Sequence, residues 1–195
     1  MVEFHPMVKA HIVTVLAGSL RTGSLNRAAA KVASEYLDDQ ATVNMPDLAP
    51  VPLFNEDLEQ SGIPTAVIEL KEAVLSSDAV LIFTPEYNLG IPAVTKNAID
   101  WLSRPYGDGS LTDRVIGIAS VGPSSRGGEN VRERLMHICA ALGGQVYPES
   151  LGVPGIVELE NDRLPAEAQG SICGWVDEVL RYSASRHSAA DTNTS

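Results

Sequence analysis

A chain of 195 residues with 44% hydrophobic content fits one domain, and at that length it can bury about 70% of its unfolded surface. The formal net charge of −11 argues against non-specific binding to nucleic acid or to an anionic membrane, and no apolar run approaches the roughly 18 residues of a membrane span. Met1–Pro6 has no basic stretch followed by an apolar core, Cys139 and Cys173 form no CxxC, and the four His residues lack metal spacing, which predicts a cytoplasmic protein without signal peptide, disulfide or metal.

The first element is an apolar run from Val8 to Ala17, interrupted at Lys9, His11 and Thr14 and rich in Val and Ile. It reads as a strand covered on both faces. Leu25, Ala28, Ala29, Val32, Ala33, Tyr36 and Leu37 then recur at helical spacing, with Ser24 as N-cap. Between them stands Gly18-Ser19-Leu20-Arg21-Thr22-Gly23, a turn crowded with hydrogen-bond donors.

A short strand, Ala41–Met45, ends at Pro46, and the irregular stretch Asp47 to Gly62 is long enough to predict a functional or covering loop. Pro64 opens a second helix through Val67, Leu70, Val74 and Leu75. Ala79–Phe83 is the clearest strand, followed by Thr84-Pro85-Glu86-Tyr87-Asn88-Leu89-Gly90-Ile91. Pro92 opens a third helix with Val94, Ala98, Trp101 and Leu102 inward. A fourth strand, Val115–Ser120, leads into the Gly- and Ser-rich loop Val121–Gly128. Val131, Leu135, Ile138 and Leu142 mark a fourth helix, stopped by Gly143-Gly144. Gln145–Tyr147 is a fifth strand, and Ile172, Trp175, Val176, Val179 and Tyr182 mark the last helix. Residues 1–182 read as one domain and 183–195 as a disordered polar tail.

Strands alternating with helices predict an α/β fold, a parallel sheet wrapped on both faces. Five such strands suggest the flavodoxin-like order 2-1-3-4-5, a three-layer α/β/α sandwich. That order brings the loops after strands one, three and four to one edge.

The turn after the first strand has the composition of a phosphate site. A helix N-terminus attracts an anion, Ser19, Ser24 and Asn26 carry donors, and Arg21 adds a charge-assisted bond. Gly18 and Gly23 have the Walker-A separation, but Ser24 stands where Lys is required, and Leu20 breaks the Rossmann glycine pattern. A terminal monophosphate fits best, with a polar capping turn that binds nothing as the other reading. A hydrolase built on Ser19 or Ser24 lacks G-x-S-x-G and a recognisable His or Asp partner.

Two stretches carry a family resemblance. Gly18 to Arg27 resembles the N-terminal signature of the NADPH-dependent FMN reductases, a group that includes quinone, chromate and azo-dye reductases. Thr84-Pro85-Glu86-Tyr87-Asn88, running on through Pro92 to Trp101, resembles their second signature. The resemblance runs from about Val8 to Gly144 and is weak beyond. It implies FMN with its phosphate at Ser19, Arg21, Ser24, Leu25 and Asn26. The isoalloxazine ring would lie along Pro85, Glu86, Tyr87, Asn88 and Leu89, with Ser120 and Gly122 near its far edge. Pro123 departs from the family's Gly-Gly and removes an N–H. Arg126, an extra cation in that loop, could meet an anionic substrate or the phosphate of NADPH.

The implied reaction is hydride transfer from NADPH or NADH to FMN, then two electrons to a small-molecule acceptor, with ping-pong turnover and no essential acid–base residue. Quinone, azo dye, chromate and free flavin all fit as acceptor. The alternative is a flavodoxin-like carrier without its own turnover, although carriers shield the ring with aromatic side chains and this chain is only 5% aromatic. Glu86 reads as a structural hydrogen bonder or a solvent-facing residue rather than a catalytic acid, and Asp100 with Arg104 as a helix pair. The resemblance also implies a homodimer or homotetramer, with the third helix and the Tyr87 loop as the contact.

Overall fold

The computed structural model describes residues 11–192; Met1–Ala10, including the start expected for the first strand, and residues 193–195 lie outside the described residues. Twelve elements follow in order: β1 His11–Ala17, α1 Leu25–Leu37, β2 Ala41–Asn44, α2 Glu56–Ser61, α3 Thr65–Leu75, β3 Ala79–Phe83, α4 Ala93–Leu102, β4 Val115–Val121, α5 Glu129–Ala141, β5 Gln145–Val146, β6 Leu151–Val153 and α6 Ala166–Thr192. The strands pair in parallel in the order β2-β1-β3-β4-β5, the expected flavodoxin-like topology.

The central strands show why their sequences do not alternate. β3 is buried at all five positions and β4 at all seven. Ala79, Leu81 and Phe83 face one core, shared with α1 and α6; Val80 and Ile82 face the other, shared with α3, α4 and α5. Side chains alternate faces along a strand, and here both faces are roofed, so β3 is apolar throughout and β4 carries a single buried polar side chain, Ser120. Thr14 is the exception on β1. Its hydroxyl pairs with Ser77 Oγ at 2.6 Å and donates to Ala73 O at 2.8 Å, which satisfies a buried polar group.

Three features depart from the sequence expectations. The edge next to β4 is split: the chain leaves β5 at Tyr147-Pro148 and returns as β6, which also pairs with β4, Ala119 opposite Leu151. Pro148 has no N–H to continue a ladder, and a three-residue strand carries no periodicity. The stretch Asp47–Gly62 contains the short helix α2, capped by Asn55, whose Oδ1 accepts from Asp57 N at 2.9 Å. Finally, α6 does not stop at Tyr182 but runs to Thr192. Ser183 continues the buried stripe of Ile172, Trp175, Val176 and Val179 and donates to Asp78 O at 3.1 Å. A buried serine hides the helical pattern from hydropathy.

The Asp47–Phe54 loop is fastened to α4. Asn97 Oδ1 accepts from Phe54 N at 2.7 Å, and Asn97 Nδ2 and Trp101 Nε1 both donate to Pro52 O, at 2.9 and 2.8 Å. Trp101 is core, edge-on to Phe54. Asp100 and Arg104 do not pair as expected: Asp100 takes Lys96, and Arg104 reaches Glu59 on α2 at 2.8 Å.

Candidate functional site

β1, β3 and β4 end at one edge, and the loops that follow them meet there. Gly18 N donates to Phe83 O at 2.7 Å, and Thr95 Oγ1, paired with Thr84 Oγ1 at 2.8 Å, donates to Gly18 O at 3.3 Å. A Cβ on Gly18 would collide with Thr95 Oγ1 and stand 2.7 Å from Thr84 Oγ1. Gly18→Ala is therefore expected to cost about 1–3 kcal/mol by overpacking, read as a lower urea midpoint. An unchanged midpoint would mean that the threonine pair yields freely.

After Gly18 the chain turns into α1. Ser24 caps it, its Oγ accepting from Arg27 N at 3.3 Å. The hydroxyl hydrogen remains to donate outward, as do the Leu25 and Asn26 N–H groups at the open end of the helix. The Asn26 side chain is engaged with the end of β4. Its Nδ2 donates to Val121 O at 2.8 Å and its Oδ1 accepts from Val121 N at 3.0 Å. The side-chain amide thus clasps the first loop to the end of β4.

The loop after β3 folds back at Tyr87–Gly90, each backbone N–H donating to the other residue's carbonyl, at 3.1 and 2.9 Å. Asn88 and Leu89 take φ of 51° and 59°, the left-handed pair of a type I′ turn. Leucine is a poor residue for that conformation. Glu86 points back into the protein: Oε1 accepts from Asn130 Nδ2 and Oε2 from Val131 N, both at 3.1 Å. Its carboxylate sits on the first turn of α5, whose own N-cap, Gly128, offers no side chain.

The loop after β4 is held from the far side. Gly122 N donates to Val153 O at 3.1 Å and Gly122 O accepts from Ile156 N at 3.2 Å, so the strap Val153–Val157 is stitched to it. Arg132 donates to Gly127 O, Ser150 O, Ser150 Oγ and Arg126 O. Burial draws its pKa down, opposed by the carboxylates of Glu129, Glu133 and Glu86. Gly128 has φ 68°, and a Cβ there would strike Ser120 Oγ, which fixes the approach of α5 to β4.

Between these loops lies a cleft of about 350 Å³. Ten of the expected site residues line it: Ser19, Arg21, Ser24, Leu25, Asn26, Pro85, Glu86, Tyr87, Ser120 and Gly122. Asn88 and Leu89 do not; they form the tip of the type I′ turn, beyond the wall. Val121, Pro123, Ser124, Gly128 and Val157 complete the lining. The Gly- and Ser-rich composition of residues 121–128 marks four of these, whereas Val157 lies beyond the resemblance and carries no sequence signal. Arg126 is outside the lining and pairs with Glu129 at 3.7 Å.

One end of the cleft presents the Ser19 and Ser24 hydroxyls, the Arg21 guanidinium and the positive end of α1. The rest is walled by Pro85, Tyr87, Pro123 and Val157. This donor set fits a planar molecule with an anionic tail. Among the described residues no group of three or more His, Cys, Asp or Glu could hold a metal ion.

Residues 12–157 match the family model described as NADPH-dependent FMN reductase. A quinone reductase of Pseudomonas putida is 38% identical over 122 residues, 63% of this chain and 66% of that protein. A quinone reductase of Escherichia coli K12 is 35% identical over 170 residues, 84% of this chain and 88% of that protein. Among solved structures, the flavoenzyme NAD(P)H:(acceptor) oxidoreductase FerB of Paracoccus denitrificans superimposes with a TM-score of 0.78 at 29% identity, over 90% of this chain and 98% of that one.

Proposed function

The chain belongs to the NADPH-dependent FMN reductase family, and on that premise we propose that it holds FMN in the three-loop cleft and works as an NAD(P)H-dependent reductase of small electron acceptors. The observation that carries this reading is the continuity of the cleft: an anion-binding end at the head of α1 opens directly onto apolar walls. Arg21, Ser19, Ser24 and the first turn of α1 hold the phosphate. Pro85, Tyr87, Pro123 and Val157 orient the ring by contact. Bound FMN supplies hydride acceptance from the nicotinamide and two-electron delivery to the acceptor. The one carboxylate in the lining, Glu86, is engaged on α5, which supports a reaction without a side-chain acid or base.

The test is anaerobic mixing of FMN-loaded protein with NADPH, and separately NADH. A reductase loses its yellow absorbance within seconds, whereas a carrier stays oxidised, which would overturn the reading. Aerobic assays with a quinone, an azo dye, chromate and free flavin then rank the acceptors.

The partner reading is a homodimer or homotetramer formed through α4 and the Tyr87 loop. Tyr87 and Leu89 are 51% and 59% exposed there, beside a groove that includes Ile91, His137 and Ile138. Sedimentation as a lone monomer at micromolar concentration would remove it. We assign the protein to the cytoplasm. Cys139 and Cys173 are free thiols, and burial pushes Cys139 up to about 12; no helix among the described residues is long and apolar enough to cross a membrane.

A further inference from the structure

Glu86 is the one carboxylate that lines the cleft, and both its oxygens are engaged. It reaches 45 residues ahead along the chain to accept from Val131 N, and from Asn130 Nδ2, each at 3.1 Å. The helix it meets, α5, has Gly128 as its N-cap, in the left-handed conformation and with no side chain to cap the N–H groups of the first turn. Glu86 therefore acts as the missing cap, delivered from another loop. The two loops that frame the cleft, after β3 and after β4, are joined by this carboxylate.

The contact has an electrostatic side. The head of a helix carries a partial positive charge that favours added negative charge nearby. A carboxylate placed on it offsets that charge. We propose that Glu86 is a positioning residue that locks the Pro85–Tyr87 segment to the head of α5 and, through its charge, lowers the affinity of the cleft for electrons. This rests on the cleft holding FMN. With Glu86 ionised on α5, the two-electron reduced cofactor, which carries more negative charge, is held less tightly relative to the oxidised form than in a neutral cleft.

Glu86→Gln and Glu86→Ala separate the two halves. The Gln amide oxygen still accepts from Val131 N, and Asn130 can turn its own amide to accept from the Gln NH₂. The lock persists while the charge is gone. Glu86→Gln is expected to favour reduced over oxidised FMN by about tenfold, a midpoint potential raised by about 30 mV for a two-electron couple, with the Val131 amide exchanging as in wild type. Glu86→Ala frees the Val131 N–H, so hydrogen exchange at Val131 in the FMN-free protein should accelerate about tenfold, consistent with loss of a charged hydrogen bond at a helix N-terminus. A midpoint potential unchanged in Glu86→Gln overturns the electrostatic role. Unchanged Val131 exchange in Glu86→Ala overturns the lock. If wild-type protein takes up no FMN, the functional reading and the electrostatic role fall together, while exchange at Val131, measured without cofactor, still decides the lock.

Discussion

Replacing Arg21 and Ser24 together with alanine should give a colourless protein. Each charge-assisted hydrogen bond to a phosphate is worth about 1.5–3 kcal/mol. Arg21 is exposed, so solvent screening puts its share at the lower end. The pair together is expected to weaken FMN binding by about 10²–10⁴-fold, at about 1.4 kcal/mol per tenfold. Ser24 has a second task, because its Oγ caps α1 through Arg27 N; losing the cap costs about 1 kcal/mol of stability. Ser24→Asn separates the two tasks, since asparagine caps as well as serine but projects a larger side chain into the anion site. Fluorescence titration of FMN reads the affinity and a thermal melt reads the cap. FMN occupancy unchanged in the double variant would remove the phosphate from the head of α1.

Asn26→Leu should be the most damaging single change to the frame of the cleft. Leucine roughly conserves volume, but it leaves both Val121 N–H and Val121 C=O without the partner they now have in a buried place. An unsatisfied buried group costs about 1–3 kcal/mol, so the two together predict a loss of about 2–6 kcal/mol. Asn26→Asp tests the pairing more sharply. A carboxylate can still accept from Val121 N, but it meets Val121 O lone pair to lone pair. It should destabilise nearly as much as leucine although it keeps the shape. Urea unfolding measures both, and FMN affinity should fall with stability because the first and third loops part. A stable Asn26→Asp would show that the clasp is unimportant.

The sheet was legible in the sequence because burial leaves a mark on composition. β3 and β4 have two roofed faces, so apart from Ser120 their side chains are apolar, and Pro64 and Pro92 stand just before α3 and α4. The convergence of the loops at one edge followed from strand order alone. What was not legible depended on partners distant in the chain. Nothing near Asn26 announces that its amide will be taken by Val121, 95 residues away. Glu86 is likewise read only once α5 is in place. Val157 enters the cleft because the strap is sewn to Gly122 by backbone groups, which every non-proline sequence possesses. Ser183 is buried by a helix that local polarity argues against. In each case a long-range contact decided, and hydropathy within a short window does not record it.

Gly122 gives both its backbone groups to residues 153 and 156, so the rim of the opening is fastened by main chain on one side and by the Asn26 amide on the other. Pro123 and Val157 contribute side chains to that rim without taking part in these bonds. Substitution at either position is expected to reshape the mouth of the cleft while the backbone scaffold beneath it keeps its place.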